Sequence, residues 1–428
     1  MSRRLNTVLG FYLPSFLRMH VGTEKNLENL SELDDEYAES VYIHEYTHFI
    51  QDLSTVYGLF NMHVIVEYMK MANNAVIAIL PGPFNVPVMP IPGGNDNVDV
   101  HMKLSNFFTG TGEDNEITLV GHKTRPETIV TSTRDINICV VEIEYLDCDG
   151  NLHSFDFGEL CISENMAFII ESECYENCAP SPQIPYHSVE LLVDFIYADF
   201  ANDRLNILAL CDISLLTQNP GLYFYETLIA FRDEELIFET PEEVYTYCYN
   251  NPPPFNTHGG VTTFGQNIDF WKNIGQQDIV AYLNDPIFSS INQWLSNMVE
   301  IAVQFRKENR HFIIDIARGG RMRENETLIS YMNMVGTPLV TNDLNEVTLF
   351  NPYSTANLNF SLIWAIEQVN SVFFWNQRHC KLKNLCSDSG IAIDSRCDSD
   401  PWLRSTDSKG CPFATVWHHW KLTGYYPV

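Results

Sequence analysis

The feature that most constrains this chain is the run Val-Tyr-Ile-His-Glu-Tyr-Thr-His-Phe-Ile-Gln-Asp at residues 41–52. Within it His44, Glu45 and His48 follow the pattern H-E-x-x-H. On an α-helix, residues four apart lie on one face about one turn apart, so both imidazoles can reach a single metal ion. Glu45 is rotated to the side of that ion, where it can hold a water molecule without being a ligand. The run therefore predicts a metal-binding helix of catalytic type.

The residues around the run favour a helix. Residues 31–57 contain no Gly or Pro, and Ser31 with Asp34 is predicted to cap the start. Gly58 offers a stop or a bend after it. The alternative interpretation of the same residues is two core histidines on an amphipathic helix.

A catalytic zinc site needs a third protein ligand, and the extended forms of the motif do not supply it. In the three-histidine form, a Gly and a His follow the motif, but this chain has Gln51 and Ser54 at those positions. Deformylase-like sites instead take a Cys ligand upstream of the motif, but the first cysteine of this chain, Cys139, lies downstream of it. Asp52 lies about 12 Å along the axis from the first histidine, too far to share its ion, but it is a candidate hydrogen-bond acceptor for His48. We therefore expect the ligand on a second helix, and the candidates are Glu164, Glu171 and Glu173 on that helix and Glu159 just before it.

The segment Gly-Glu-Leu-Cys-Ile-Ser-Glu-Asn-Met-Ala at residues 158–167 fits this requirement best. With this segment and the H-E-x-x-H run, the chain resembles the gluzincin branch of the zincin metallopeptidases, exemplified by thermolysin-like enzymes. In that branch a downstream helix supplies a Glu followed closely by small residues. The resemblance covers these two segments only.

Carried over to this chain, the resemblance implies His44 and His48 as zinc ligands, Glu164 as the third ligand and Glu45 as the general base. It departs at position 168, where thermolysin-like sequences have Asp four residues after the ligand Glu and this chain has Phe. Glu171, two turns beyond Glu164 on the same face, therefore stays open as the rival ligand.

The predicted function is that of a zinc-dependent metallopeptidase, an endopeptidase rather than an exopeptidase, which hydrolyses a protein or peptide substrate with a zinc-activated water. Tyr186 and His187, which follow the second helix, are candidate donors to the developing oxyanion. Two alternatives stay open. One is an inactive zincin-like protein with a binding or structural role, and the other is a hydrolase with a cysteine nucleophile.

Charge limits the partners of this protein. Lys and Arg number 25 against 55 Asp and Glu, a net charge of −30, which disfavours nucleic acids and anionic membrane surfaces. The apolar run near the start is broken by Asn6, Thr7 and Pro14, and no uninterrupted apolar stretch reaches the length of a membrane span. We expect a cytoplasmic protein with a specific protein target and with either narrow specificity or a regulatory partner.

The predicted fold class is α+β and predominantly helical. A zincin-like catalytic domain with a β-hairpin would cover residues 1–255, and a mostly helical domain would cover residues 256–428, after a Pro-rich linker at 250–260. In the first domain we expect strands at 116–120, 137–146 and 152–157, and a long loop at 81–115. The expected helices cover residues 59–80, 161–176, 189–216, 287–308 and 355–375.

Eleven cysteines, an odd number at irregular spacing, fit reduced thiols better than a disulfide framework. The last four, Cys380, Cys386, Cys397 and Cys411, follow the spacing C-x5-C-x10-C-x13-C. They predict either a second, structural zinc site or a set of separate buried thiols.

Overall fold

The computed structural model describes residues 10–13, 17–28, 35–88, 96–130, 135–178, 180–255, 260, 262–353, 358–407 and 410–428. Its α-helices are α1 (Glu36–Ser54), α2 (Val56–Ile77), α3 (Asp96–Thr109), α4 (Glu159–Cys174), α5 (Gln183–Tyr186), α6 (Ser188–Tyr197), α7 (Arg204–Ser214), α8 (Pro220–Asp233), α9 (Pro241–Asn250), α10 (Phe264–Tyr282), α11 (Ser289–Glu308), α12 (Phe312–Arg318), α13 (Glu326–Val335), α14 (Phe360–Trp375), α15 (Lys383–Asp388), α16 (Arg396–Ser399) and α17 (Pro412–His419). Its strands are β1 (Gly10–Leu13), β2 (Arg18–Val21), β3 (Pro83–Phe84), β4 (Ile117–Val130), β5 (Asp135–Asp147), β6 (Leu152–Phe157), β7 (Leu339–Thr341), β8 (Val347–Thr348) and β9 (Tyr426–Pro427). The predicted class, α+β and mostly helical, is confirmed.

Helix α1 carries the H-E-x-x-H run. Asp35 caps it by accepting a hydrogen bond from the backbone N–H of Ala38. Glu36 and Glu39 lie in its first turn, where the positive end of the helix dipole stabilises negative charges. The predicted caps, Ser31 and Asp34, lie outside the described residues. The helix is thereby set to begin two turns before the first histidine.

The junction between α1 and α2 corrects the predicted stop at Gly58. Thr55 takes an extended conformation that ends α1, and its side chain then caps α2 by accepting from the Gly58 N–H. A side chain at position 58 would meet the Asp52 backbone, with its Cβ 2.4 Å from Asp52 Cα. Gly58, the third residue of α2, is thus needed for a close turn between the two helices.

A three-stranded antiparallel sheet in the order β4-β5-β6 leads into α4. The predicted hairpin between β5 and β6 is present, and Gly150 in its turn has φ +80. Strand β4 is longer than the predicted segment 116–120, because it pairs with β5 along its whole length to Val130. Gly158 is the only residue between β6 and α4, so the sheet directly sets the start of the second site helix.

Two further predicted elements differ from the structure in extent. Residues 81–115, predicted as a loop, contain helix α3, whose carboxyl end lies beside Gly158. The single helix predicted at 189–216 is two helices, α6 and α7, since Asp203 takes an extended conformation and caps α7 through the Leu205 N–H. Polar residues inside an apolar pattern made this break hard to recognise from sequence.

A mixed sheet joins the two ends of the chain. Its order is β1-β2-β7-β8, with β2 parallel to β7, and β3 pairs with β9 in a second, two-stranded sheet. Helix α10 packs on α2, and α11 packs on α1. One buried cluster extends from Leu17 to Tyr425 and crosses residue 255 without a break. The division into domains at 255 stays a prediction, but the apolar core is shared by both segments.

Candidate metal centre

Helices α1 and α4 pack together and bring three candidate ligands to one point. The Nε2 atom of His44 lies 3.3 Å from Oε2 of Glu164, and the Nε2 atom of His48 lies 3.4 Å from the same oxygen. The ligand atoms of these three residues all lie within 4.8 Å of one another. Ligand atoms held about 2.0–2.1 Å from a tetrahedral zinc ion lie roughly 3.4 Å apart. The spacing therefore suits a zinc ion bound by two imidazoles and one carboxylate.

The second nitrogen of each imidazole has its own partner. Nδ1 of His44 lies 3.1 Å from Oε2 of Glu171, and Nδ1 of His48 lies 2.8 Å from Oε1 of Gln51. The amide of Gln51 donates in turn to the carbonyl of Ser163 on α4, at 3.1 Å. An acceptor at Nδ1 places the proton there and leaves Nε2 free to bind a metal. Both rings thus present their Nε2 atoms to the same point.

These contacts rank the rival glutamates by position. Glu171 lies on the far side of the His44 ring from Glu164, in the place of a partner rather than a ligand. Glu173 is directed to Arg204, with 3.3 Å between Oε1 and the guanidinium. Burial raises the pKa of Glu159 to about 7, and a hydrogen bond with Ser163 opposes that shift. Glu164 is the glutamate that faces both histidines.

The partner of the His48 Nδ1 atom is not Asp52, the predicted acceptor. The neighbouring side chain of Gln51 occupies Nδ1 instead. Burial raises the pKa of Asp52 to about 8, and the nearby side chain of Tyr12 opposes this shift. Gln51 lies three positions after His48, and a residue three positions away is also within reach on a helix.

The electric field of the centre attracts cations. Burial alone lowers the pKa of His44, but hydrogen bonds to Glu164 and Glu171 outweigh it and raise that pKa to about 10. The charges of His48 and His44 hold the pKa of Glu164 well below its usual range despite burial. A site that stabilises a proton on an imidazole in this way also stabilises a divalent cation in its place.

Glu45 lies beside these ligands and is buried. Burial raises its pKa to about 7, although the charges of His44 and His48 act in the opposite direction. Strand β1 passes directly over it: a Cβ added to Gly10 would lie 2.8 Å from Oε1 of Glu45 and 2.6 Å from Cγ1 of Val41. Gly10 was not recognised from sequence, where a glycine before Phe-Tyr-Leu carries no signal of this contact.

The two predicted oxyanion donors separate in space. The Tyr186 ring lies 5.7 Å from the His44 ring, and the charge of Glu164 is the largest cause of the raised pKa of its hydroxyl. His187 points elsewhere: its ring packs at 4.3 Å on Phe168, and its nitrogens face Ser181 and Glu190. The structure brings Tyr186 to the centre and directs His187 to Phe168, Ser181 and Glu190 instead.

Comparisons place no known protein beside this geometry. No family model, no curated protein and no solved structure matches the chain. Within the described residues, no helix combines the length and apolarity needed to cross a bilayer. The centre is therefore interpreted from its own residues.

Proposed function

We propose that this protein is a zinc-dependent metallopeptidase of gluzincin type, with His44, His48 and Glu164 as the zinc ligands. The observation that supports it is the pair of contacts of 3.3 Å and 3.4 Å between one Glu164 oxygen and the Nε2 atoms of both histidines. Two neutral nitrogens and one carboxylate oxygen are the protein ligands of thermolysin-type catalytic zinc, which keeps a further position open. The zincin-like character of the domain is part of this proposal.

A zinc ion held there would supply a Lewis acid, which polarises a peptide carbonyl and makes water nucleophilic near neutral pH. The chain supplies the proton transfers. Glu45 takes the proton of the attacking water and delivers it to the leaving amine, a role that suits a carboxylate with a pKa of about 7. The hydroxyl of Tyr186, whose pKa is raised, stays protonated and donates to the developing oxyanion.

The remaining polar residues hold the ligands in place. Glu171 and Gln51 fix the rings of His44 and His48 by their Nδ1 atoms. Gln51 also connects α1 to α4 through the Ser163 carbonyl. We propose that the substrate is a protein or a peptide. We also propose that the protein lies in a reducing cytoplasm, where its cysteines would stay free.

The test combines zinc content with turnover of a peptide library. Glu45→Gln should keep zinc and lose hydrolysis, because it removes the base and leaves the ligands. Glu36→Gln is the matched control, since this residue lies on the same helix and pairs with Arg321 at 2.9 Å instead. Hydrolysis by Glu45→Gln at the wild-type rate would reject the mechanism. Zinc binding without turnover of any peptide by the wild type would favour the inactive, binding form of the same fold.

The third ligand is tested separately. Glu164→Ala should lose one equivalent of zinc per chain after dialysis against a mild chelator, because two imidazoles alone hold zinc weakly. An unchanged zinc content in Glu164→Ala would show that another carboxylate is the third ligand, and Glu171 would be the first candidate.

A further inference from the structure

The carboxy-terminal cysteine cluster, formed by Cys380, Cys386, Cys397 and Cys411, brings together four residues that are far apart in sequence. All four are free and buried, each between 5% and 7% exposed. The backbone N–H of Cys380 donates to the carbonyl of Cys397 at 2.8 Å. Beyond burial, the pKa of Cys380 is raised by the other three thiols, that of Cys386 by Cys411 and Cys397, and that of Cys411 by Cys397, so each pair of the four lies close enough to interact. Burial of four convergent thiols in a segment with little regular structure requires an explanation.

Hydrogen-bond donors surround the sulfur atoms of this cluster. The guanidinium of Arg404 donates to Sγ of Cys397 at 3.1 Å, and Arg404 is itself buried. The Leu382 N–H is directed at the sulfur of Cys380, and the N–H groups of Phe413 and Ala414 are directed at Cys411. Cys411 also occupies the N-cap of α17, where the helix dipole favours a negative charge. N–H groups and a cation aimed at sulfur stabilise a thiolate, the form of cysteine that binds metals.

We propose that the four cysteines of this cluster bind a structural zinc ion as a tetrathiolate site. Four cysteine thiolates complete a tetrahedral zinc sphere and leave no position for substrate, which makes such a site structural. Four S–H protons leave to solvent as four Zn–S bonds form, and the charge of Arg404 offsets part of the resulting negative charge. The proposal is independent of the proposed peptidase function.

The sulfur atoms of this cluster are spread more widely than the ligands of a bound metal ion. No three of its sulfur atoms lie all within 4.8 Å of one another, a spacing that among the described residues is found at the His44–His48–Glu164 centre. Cys386 and Cys397 lie on the short helices α15 and α16, and zinc binding would have to draw their sulfur atoms together with those of Cys380 and Cys411. Because thiolates bind the metal, zinc binding releases protons and should strengthen as pH rises.

A zinc crosslink would suit this part of the chain. Between α14 and the carboxyl end, the described residues form short helices of 6, 4 and 8 residues, a 3-10 segment and the two-residue strand β9. Yet this segment supplies Trp402 and Trp417, which are buried. The ring of Trp417 packs at 6.0 Å against Phe373 of α14 and at 6.4 Å against Phe84 of β3. In a segment of this kind, the free energy of metal binding contributes directly to the free energy of folding.

The experiment measures zinc per chain in the full-length protein. A His48→Ala variant removes the first centre, and the double substitution Cys397→Ser with Cys411→Ser removes the second. We expect one equivalent in each of these and none in the combined variant. The matched control is Cys174→Ser, a residue equally buried whose thiol lies 3.7 Å from the Ile316 carbonyl, a contact that a serine can keep. A His48→Ala protein without zinc would overturn the proposal.

A second measurement decides the case if the double variant fails to fold. Cobalt replaces zinc in the His48→Ala protein, where tetrathiolate binding should produce sulfur-to-cobalt charge-transfer absorbance. Its absence would overturn the proposal. Counting of free thiols in denaturant distinguishes the remaining alternative: four thiols that react only after reduction would show two disulfides instead of a metal site. Loss of peptidase activity alone would leave these results unchanged, so failure of the proposed function is recognised separately.

Discussion

Nδ1 of His44 lies 3.1 Å from Oε2 of Glu171, while Nε2 of the same ring lies 3.3 Å from Oε2 of Glu164. Both carboxylates come from α4, two turns apart, so one helix holds the imidazole at both of its nitrogens. Phe168, which stands where thermolysin-like sequences have Asp, packs on the His187 ring instead. Glu171 thereby supplies a carboxylate to the centre from a position that the resemblance did not indicate.

Removal of this carboxylate should weaken zinc binding without abolishing it. Because partners of metal ligands typically contribute 10–100-fold to affinity, Glu171→Ala should raise the zinc dissociation constant by about that factor. Glu171→Gln, which keeps an acceptor, should have a smaller effect. Competition with a chromophoric chelator measures both. Glu173→Ala serves as the control because Glu173 contacts Arg204. If Glu171→Ala bound no zinc at this centre even at saturation, Glu171 would be a ligand.

Substitution of Gly10 should impair turnover while zinc stays bound. The new Cβ of Gly10→Ala would lie 2.8 Å from the Glu45 carboxylate and displace either that side chain or strand β1. Misplacement of a catalytic group by about 1 Å costs up to roughly 100-fold in rate, so we expect kcat to fall by about 10- to 100-fold. Peptide hydrolysis and zinc content are measured together. Gly265→Ala, where a Cβ meets nothing within 4 Å, should behave as wild type.

Glu190 should make stability fall at acidic pH. Burial alone would raise its pKa, but the His187 imidazole at 3.7 Å and hydrogen bonds from Arg204 and Asn165 lower it from 4.5 to about 2. Since the folded-state pKa is depressed, the stabilisation is complete above pH 4.5 and is lost as pH falls towards 2. Its upper limit is about 3 kcal/mol, at about 1.4 kcal/mol per unit of pKa.

Urea denaturation of Glu190→Gln at several pH values tests this linkage. The variant should be less stable than wild type at pH 7, and the difference should shrink as pH falls from 4.5 to 2. Glu226→Gln, on the exposed side of α8, should show little effect at any pH. A difference that stays constant down to pH 2 would contradict the role of this carboxylate.

The ion pair between Arg306 and Asp212 should be required for folding of the shared core. Both side chains are buried, and the guanidinium of α11 makes two hydrogen bonds of 2.8 Å to the carboxylate of α7. Arg306→Met leaves the Asp212 charge buried without its partner, which costs about 3–5 kcal/mol. The midpoint of urea denaturation should fall accordingly. Arg232→Met, which removes an exposed pair with Asp233, should change the free energy of unfolding by less than about 1 kcal/mol.

The predicted domain boundary gives a further test. A fragment of residues 1–255 lacks β7, which pairs with β2, and lacks α10 and α11, which cover α2 and α1. We therefore expect the isolated fragment to be aggregated or partly unfolded, as judged by near-UV circular dichroism and sedimentation. A fragment with a cooperative thermal transition would instead support two separate domains.

What the sequence by itself determined is local. The helix with His44 and His48 one turn apart, the β5–β6 hairpin with its glycine turn, and the mostly helical class all follow from patterns within one or two dozen residues. Such patterns are set by backbone geometry and by the periodicity of burial, and both depend on neighbouring residues rather than on the rest of the chain.

The tertiary structure decided which distant residues meet. Glu164 lies 120 positions after His44, and Glu171 lies 127 positions after it. Periodicity places both glutamates on α4, but it does not show which of them faces Nε2 of His44 and which faces Nδ1. The contact of Gly10 with Glu45, the separation of Tyr186 from His187 and the convergence of the four carboxy-terminal cysteines likewise depend on how helices pack. These contacts come from burial shared among many elements, a property of the folded chain as a whole that no single segment encodes.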